Sequence, residues 1–392
     1  MALGGLAPHE ARILDWLGSQ KQAMLELIER VVNIDSGTYD KAGVDAVGDE
    51  FIRFFAERGM PTTVEPHETF GNAIHVRIDE RRSNEKPIVL MGHRDTVFPK
   101  GEVAQRPYKV EGNRAYGPGV SDMKSGLVMN AFVLDAFRRF GGAPAPLVGL
   151  ITSDEEIASP SSRPVIERVA REARCVFNAE PGRPNGGVVT GRKGGVFMRC
   201  EIEGRAAHSG GNFEHGISAI GELAHKIVKL HAITDLKRGT TVNVGIVKGG
   251  QSVNTTAPFA QADIDLRYVT PKDRAEAMSA VTEIVETSFV PGTKATLTVL
   301  GEFLPLNATP ASESLFSRYQ AAAKTVGLNI TGEFAGGCAD SGFTAAVGCP
   351  TICATGPVGG KAHTAEEYLE IDSLVPRAQA LALAIMRLSL TV

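Results

Sequence analysis

The chain of 392 residues has no run approaching the ~20 apolar residues that a membrane-spanning helix needs. It has no basic tract either. Lys and Arg number 41 against 45 Asp and Glu, for a net charge of -4. Neither nucleic acid nor an anionic membrane surface is therefore an expected partner. The start, "MALGGLAPHEARILDWLGS", lacks a basic segment followed by an apolar core, so no signal peptide is expected. Cys175, Cys200, Cys338, Cys349 and Cys353 are odd in number and show no CxxC spacing. They read as buried free thiols, which fits a reducing cytoplasm. There is no GxGxxG after the first strand and no GxxxxGK[ST], so nucleotide binding gains no support. Internal repeats and low-complexity tracts are also missing. Glycine pairs such as Gly249–Gly250 and Gly359–Gly360 read as turns.

What remains is a chain of ordinary soluble composition, 43% apolar and 22% charged, long enough for two domains. A helical stripe runs over 10–33, through Met24, Leu27, Ile28 and Val31. Strands are expected at 71–77 and 88–91, in "APLVGLITSDEE" and in "ARCVFNAEPG", with an apolar helix at 124–139. Strands alternating with helices indicate an α/β layer structure. From residue 192 the style changes. Val196, Met198, Cys200 and Ile202 alternate with mostly polar neighbours, as in a half-buried strand. A helix over 216–230, strands at 241–247 and 260–268, a helix at 272–288 and a strand near 294–302 follow. That order describes a small ferredoxin-like α+β unit. The α/β style then returns and ends in a helix over 371–389. The expected domains are 1–191 and 302–392 for one unit, with 192–301 inserted.

The strands of the first unit end in acids and histidines. "PIVLMGHRDTVFP" runs from an apolar strand into His93 and Asp95. Asp122 follows "RAYGPGVS", Asp154, Glu155 and Glu156 follow "LVGLITS", and Glu180 follows "CVFNA". Ligands of open α/β sheets bind beyond the carboxyl ends of strands. Carboxylates gathered there repel one another unless a cation neutralises them. His363, in the glycine-flanked "GGKAHTAEE", can complete the set. Zinc takes about four His or Asp/Glu ligands. His93, His363, Asp122, Glu156 and Glu180 are too few for two separate shells, but suffice if one carboxylate serves two ions. Such ions sit ~3.5–4 Å apart. Asp122, central in the series, suits that bridge. Asp95 suits the second imidazole nitrogen of His93. Of the adjacent Glu155 and Glu156, one reads as ligand and one as general base, and the pattern leaves open which is which. A His/carboxylate set admits Zn, Co or Mn.

The motifs "GHRDTV", "GPGVSDMKSG", "TSDEE", "NAEP" and "AHTAEEY" resemble those of the M20 family of co-catalytic zinc metallopeptidases, most closely glutamate carboxypeptidases of the carboxypeptidase G type. The resemblance covers nearly the whole chain in motif order. It implies a zinc-peptidase-like mixed sheet flanked by helices, with the inserted unit acting as a lid and dimerisation domain. It implies that His93 and Glu180 hold one ion, that Glu156 and His363 hold the other, and that Asp122 bridges. Glu155 becomes the general base, Asp95 orients His93, and a cis peptide is expected at Asp122–Met123. Ser125 departs from the usual DMKGG. "GGCADS", 336–341, resembles the family's glycine-rich loop, with Cys338 and Ala339 uncommon there.

By the same resemblance, His208 in "GRAAHSG" helps to hold the tetrahedral oxyanion. Asn254, Arg267 and Lys193 match positions that touch substrate, and Arg267 would grip a free carboxylate. The implied activity is hydrolysis of the amide bond to a C-terminal amino acid, glutamate or aspartate foremost. Aminoacylase or desuccinylase activity on N-acyl amino acids is the alternative. A non-enzymatic binding protein on the same fold would lack a ligand or the base, and no such position is empty here. A homodimer is expected through roughly residues 194–230.

Overall fold

The computed structural model describes residues 5–78 and 85–388. The first four residues of the N-terminal segment and the end of the helix expected over 371–389 fall outside that range. The chain divides into two units. One comprises Met1–Gly191, Leu306–Ala335 and Ala339–Val392, the other Arg192–Pro305 and Gly336–Cys338.

In the first unit, Ile88–His93, Leu147–Thr152 and Cys175–Asn178 are buried at every position. Such strands belong inside a sheet covered on both faces. Ile88–His93 pairs in parallel with both of the others, and Thr351–Ile352 adds in parallel beside Cys175–Asn178. Ala73–Ile78 and Thr62–Glu65 close the opposite edge antiparallel. The result is a mixed six-stranded sheet flanked by helices. Because the inner strands are parallel and adjacent, their carboxyl ends share one edge. That common edge is what brings His93, Glu155, Glu156 and Glu180 together.

The stripe over 10–33 forms two helices, Pro8–Gly18 and Lys21–Val32. Ser19 separates them, and its hydroxyl bonds back to the Trp16 carbonyl at 2.7 Å. The buried apolar helix Ser125–Phe140 packs on the sheet, and Ile371–Met386 packs on that helix. A smaller antiparallel sheet joins Lys109–Glu111, Arg114–Tyr116, Tyr368–Glu370 and Gly359–Gly360. It sets the loop carrying Asp122 beside the loop carrying His363. Here Gly359–Gly360 is a short strand rather than a turn. A Cβ on Gly359 would collide with the Ser121 hydroxyl, so glycine permits that close approach.

The second unit runs strand–helix–strand–strand–helix–strand: Gly194–Glu203, Ala219–His231, Thr241–Gly249, Phe259–Tyr268, Pro271–Glu286 and Lys294–Phe303. Its sheet is antiparallel throughout. Val196, Met198, Cys200 and Ile202 are fully buried in its core. The first helix starts at Ala219 because the Ser218 hydroxyl caps it, accepting from the Gly221 N–H at 3.0 Å. Among the described residues, no helix is long and apolar enough to cross a membrane.

Candidate metal centre

Along Ile88–His93 and its continuation, side chains alternate between faces. His93 and Asp95 therefore point one way and Arg94 the other. The Asp95 carboxylate lies 3.2 Å from His93 Nδ1, which also meets the Asp95 carbonyl at 3.1 Å. Asp95 does more than orient this imidazole. It accepts the backbone N–H groups of Glu155 and Glu156, each at 3.2 Å, and the Thr38 hydroxyl at 2.7 Å. One buried carboxylate thus fixes the histidine and the start of the acidic turn together. Arg94, on the opposite face, is fully buried and binds the Val44 carbonyl at 2.8 Å, the Thr152 carbonyl at 3.0 Å and Asp45 at 3.2 Å.

His93 Nε2 faces Asp122 Oδ1 at 3.3 Å, Glu180 Oε1 at 3.7 Å and Glu155 Oε2 at 3.9 Å. The other oxygen of Asp122 faces His363 Nε2 at 3.3 Å, and His363 meets Glu156 Oε2 at 3.2 Å. All five expected ligands, and Glu155, converge. The peptide Asp122–Met123 is cis.

Charges in this group are strongly coupled. Burial disfavours a charged His93, but the carboxylates of Asp122, Asp95 and Glu155 outweigh it and hold the ring's pKa well above the histidine range. Burial lifts Glu155 well above the carboxylate range, and Glu180, Glu156 and Asp340 add to the effect against His93. Glu156 is raised by burial and by Asp122, against His363. Burial works to raise Asp122, but the facing imidazoles of His363 and His93 outweigh it and its pKa is lowered. Bonds to Asp122 and then Glu156 raise His363 to about 10.

Ligand-type atoms of His93, Asp122 and Glu156 lie within 4.8 Å of one another, as do those of His93, Glu155 and Glu180. His93 Nε2 and Glu156 Oε1 are buried with no hydrogen-bond partner among the described residues. A cation there would satisfy both atoms and offset the crowded acids. Imidazole nitrogens with carboxylate oxygens are the donors zinc takes. The clusters fit a di-metal site of a metallohydrolase.

Three supporting residues lie within the quoted motifs, but the sequence reading assigns them no role. The buried Glu367 carboxylate accepts the N–H groups of Ser121 and Asp122, both at 2.8 Å, and of Gly119 at 3.1 Å. Burial raises its pKa to about 7. Asp340 is buried against the hydroxyls of Ser159 and Thr152, and burial raises it also to about 7. Lys124 is buried and donates to the Ile34 carbonyl at 2.9 Å. In the sequence it is marked by its place in "GPGVSDMKSG", two residues after Asp122.

The remaining expected residues lie in the second unit. His208 is exposed, and its Nδ1 accepts the N–H groups of Gly210 and Gly211 at 3.2 and 3.1 Å. Its Nε2 is therefore the nitrogen left to donate. Asn254 is adjacent, its carbonyl accepting the Ser209 N–H at 2.9 Å. Lys193 is half-buried. Arg267 already has an internal carboxylate: Asp265, two residues earlier on the same strand face, takes its Nε at 2.8 Å. Its Nη1 lies 2.7 Å from the Cys338 sulfur. The other four cysteines are buried, and all five are free.

A sequence model of peptidase family M20/M25/M40 matches residues 89–387. The chain is 29% identical to carboxypeptidase G2 of Pseudomonas sp. (strain RS-16) over 378 residues, covering 94% of this chain and 90% of that protein. It is 26% identical to acetylornithine deacetylase of Pectobacterium carotovorum subsp. carotovorum (strain PC1) over 348 residues, 82% of this chain and 85% of that one. Its fold is similar to that of an M20 family metallo-carboxypeptidase from Sulfolobus solfataricus, with a TM-score of 0.78 at 17% identity, covering 93% and 98% of the two chains.

Proposed function

The chain belongs to peptidase family M20/M25/M40, and from that premise we propose that it hydrolyses the amide bond to a C-terminal amino acid with a free carboxylate, glutamate or aspartate foremost. The observation that carries this reading is Asp122, whose two oxygens face the two histidines His93 and His363 at 3.3 Å each. In this reading His93 and Glu180 would hold one divalent ion, Glu156 and His363 would hold the other, and Asp122 would serve both. When bound, such ions supply Lewis acidity, polarising a carbonyl oxygen and making water acidic enough to ionise near neutral pH.

The chain's own groups do the rest. Glu155 takes a proton from the attacking water and returns it to the leaving nitrogen. Asp95 keeps His93 in its tautomer and holds the backbone of the Glu155–Glu156 turn. His208 offers its Nε2 proton to the developing oxyanion. Arg267, with Asn254 and Lys193, binds the free carboxylate of the substrate. Asp265 takes Nε, so the outer nitrogens of Arg267 do the reading. The second unit acts as a ferredoxin-like lid and pairs two chains through residues 194–230. Five free thiols suit a reducing compartment, the cytoplasm.

The motif resemblance to glutamate carboxypeptidases, alongside the similarity to carboxypeptidase G2 over 94% of the chain, favours glutamate or aspartate. Similarity to acetylornithine deacetylase favours a second reading, deacylation of N-acyl amino acids. A hydrolysis screen with zinc- and cobalt-loaded protein separates them. It varies the amino acid first and the acyl group second. Sharp dependence on an acidic amino acid supports the first reading, dependence on the acyl group alone supports the second, and no hydrolysis of either class contradicts both.

A further inference from the structure

Away from the metal centre the first unit holds a pocket of about 320 Å³. Lys86, Cys175 and Pro350 line it, and they stand at or just before the starts of Ile88–His93, Cys175–Asn178 and Thr351–Ile352. His93 ends the first of these strands, and Glu180 follows the second. The pocket therefore opens at the amino edge of the sheet, and the metal centre lies at the carboxyl edge. One wall is a face of the helix Pro310–Thr325, where Ala311, Ser314, Leu315 and Arg318 recur at helical spacing. Another wall is the end of the helix Ser162–Glu172 and the chain after it, with Ala170, Arg171, Ala173 and Arg174.

The interior is apolar. Ala170, Ala173, Cys175, Leu315, Cys349 and Leu388 are all buried. Both thiols are free, and burial raises them, Cys349 to about 12, so neither is an anion at neutral pH. The rim is basic. Lys86 and Arg318 are exposed and Arg174 is half-buried. None of these three side chains has a partner among the described residues. Arg171 is paired, with Glu167 at 3.2 Å. Among the described residues, no acidic side chain lines the pocket. Cations gathered without a counter-charge attract an anion. A bare anion would gain only from solvent-screened charges and would leave the apolar interior wet. An uncharged apolar molecule would use the interior and ignore the rim. A molecule with both parts uses both, as ligands of mostly apolar pockets with a few polar groups do.

We propose that this pocket binds a small organic monoanion, its apolar body in the interior and its carboxylate on Arg318, Arg174 and Lys86. At roughly 30 Å³ for each water-sized group, the volume takes about ten heavy atoms, the size of a medium-chain carboxylate. Planar guanidinium groups suit a carboxylate, which they can meet through two nitrogens. The site is separate from the metal centre and does not rest on the amidohydrolase reading.

The test is titration calorimetry with octanoate as the probe. It uses metal-loaded and metal-stripped wild type, and the metal-loaded variants Arg318→Glu, Arg318→Lys and Ser314→Trp. Octanamide, butyrate and inorganic phosphate are the comparison ligands. Octanoate should bind wild type with or without metal. Octanamide, which lacks the charge, and butyrate, which lacks four methylenes, should each bind more weakly by about 10-fold or more. Arg318→Glu should weaken octanoate by about 10-fold or more, and Arg318→Lys should keep most of the affinity because the charge remains. Ser314→Trp fills the pocket from the helix face and should abolish binding. No octanoate binding by wild type, octanamide or phosphate binding as tightly as octanoate, or binding lost on metal removal would overturn the proposal. So would unchanged affinity in either Arg318→Glu or Ser314→Trp, or an equal loss in Arg318→Lys and Arg318→Glu.

Discussion

The Glu367 carboxylate accepts the backbone N–H of Asp122 at 2.8 Å across 245 residues of sequence. Glu367 also holds Ser121 and Gly119, so it fixes the loop from which Asp122 reaches both histidines. In the proposed reading it positions a metal ligand without being one. Glu367→Gln substitutes an NH₂ for one accepting oxygen and disturbs that loop. Metal affinity should fall about 10- to 100-fold, the usual effect of losing a group that orients a ligand. Competition with a chelating dye measures it. Unchanged affinity would remove Glu367 from the account.

Glu155→Gln keeps size and hydrogen bonding but cannot accept a proton. Metal content should hold while kcat drops by roughly 10²-fold or more. Glu156→Gln should lose metal first. If instead Glu155→Gln loses metal and Glu156→Gln keeps it, the roles of the two glutamates are reversed.

Arg267→Ala should weaken recognition by a few kcal/mol, on the order of 2–3, in kcat/KM. Replacing the substrate's free carboxylate by an amide should harm the normal enzyme badly and the variant much less. Equal penalties in both proteins would assign Arg267 to its internal partner Asp265 alone.

Those three sites differ in how legible they were. His93, Glu155, Glu156 and Glu180 each follow a short apolar strand, and such strands announce themselves locally. The alternation of Val196, Met198, Cys200 and Ile202 likewise matches four fully buried residues. Glu367 and Asp340 could not be read this way. Their partners lie 245 and 181 residues distant, and a buried glutamate looks the same in sequence as its exposed neighbour Glu366. Arg94 was within reach, since period-two alternation places it opposite His93 and Asp95. Its carbonyl partners, however, belong to other segments. The internal carboxylate of Arg267 was legible too, because residues two apart on a strand share a face.

The second unit offers a pH test away from the candidate metal centre. Glu222 and Lys226 form a fully buried pair at 2.7 Å. Glu222 also accepts the N–H groups of Phe289 and Val290 at 2.9 and 2.6 Å. Burial opposes its charge, but Lys226 and these N–H groups prevail, and its pKa is lowered. A lowered carboxylate stabilises the fold above the unfolded-state value near ~4.3, and that stability is lost as pH falls through the folded value. Urea unfolding from pH 7 to pH 3 should show Glu222→Gln less stable by about 2–3 kcal/mol at neutral pH. The gap from wild type should narrow in acid, and a gap that widens there would contradict the assignment.

The central claim is that His93, Asp122, Glu156, Glu180 and His363 hold two ions on which hydrolysis depends. Metal analysis of protein purified without chelator, followed by titration of the stripped protein with zinc, tests it most directly. The account predicts about two tightly bound divalent ions per chain, lost together with activity on chelation and restored together by zinc. Protein that carries no metal and takes up none at micromolar zinc would contradict it.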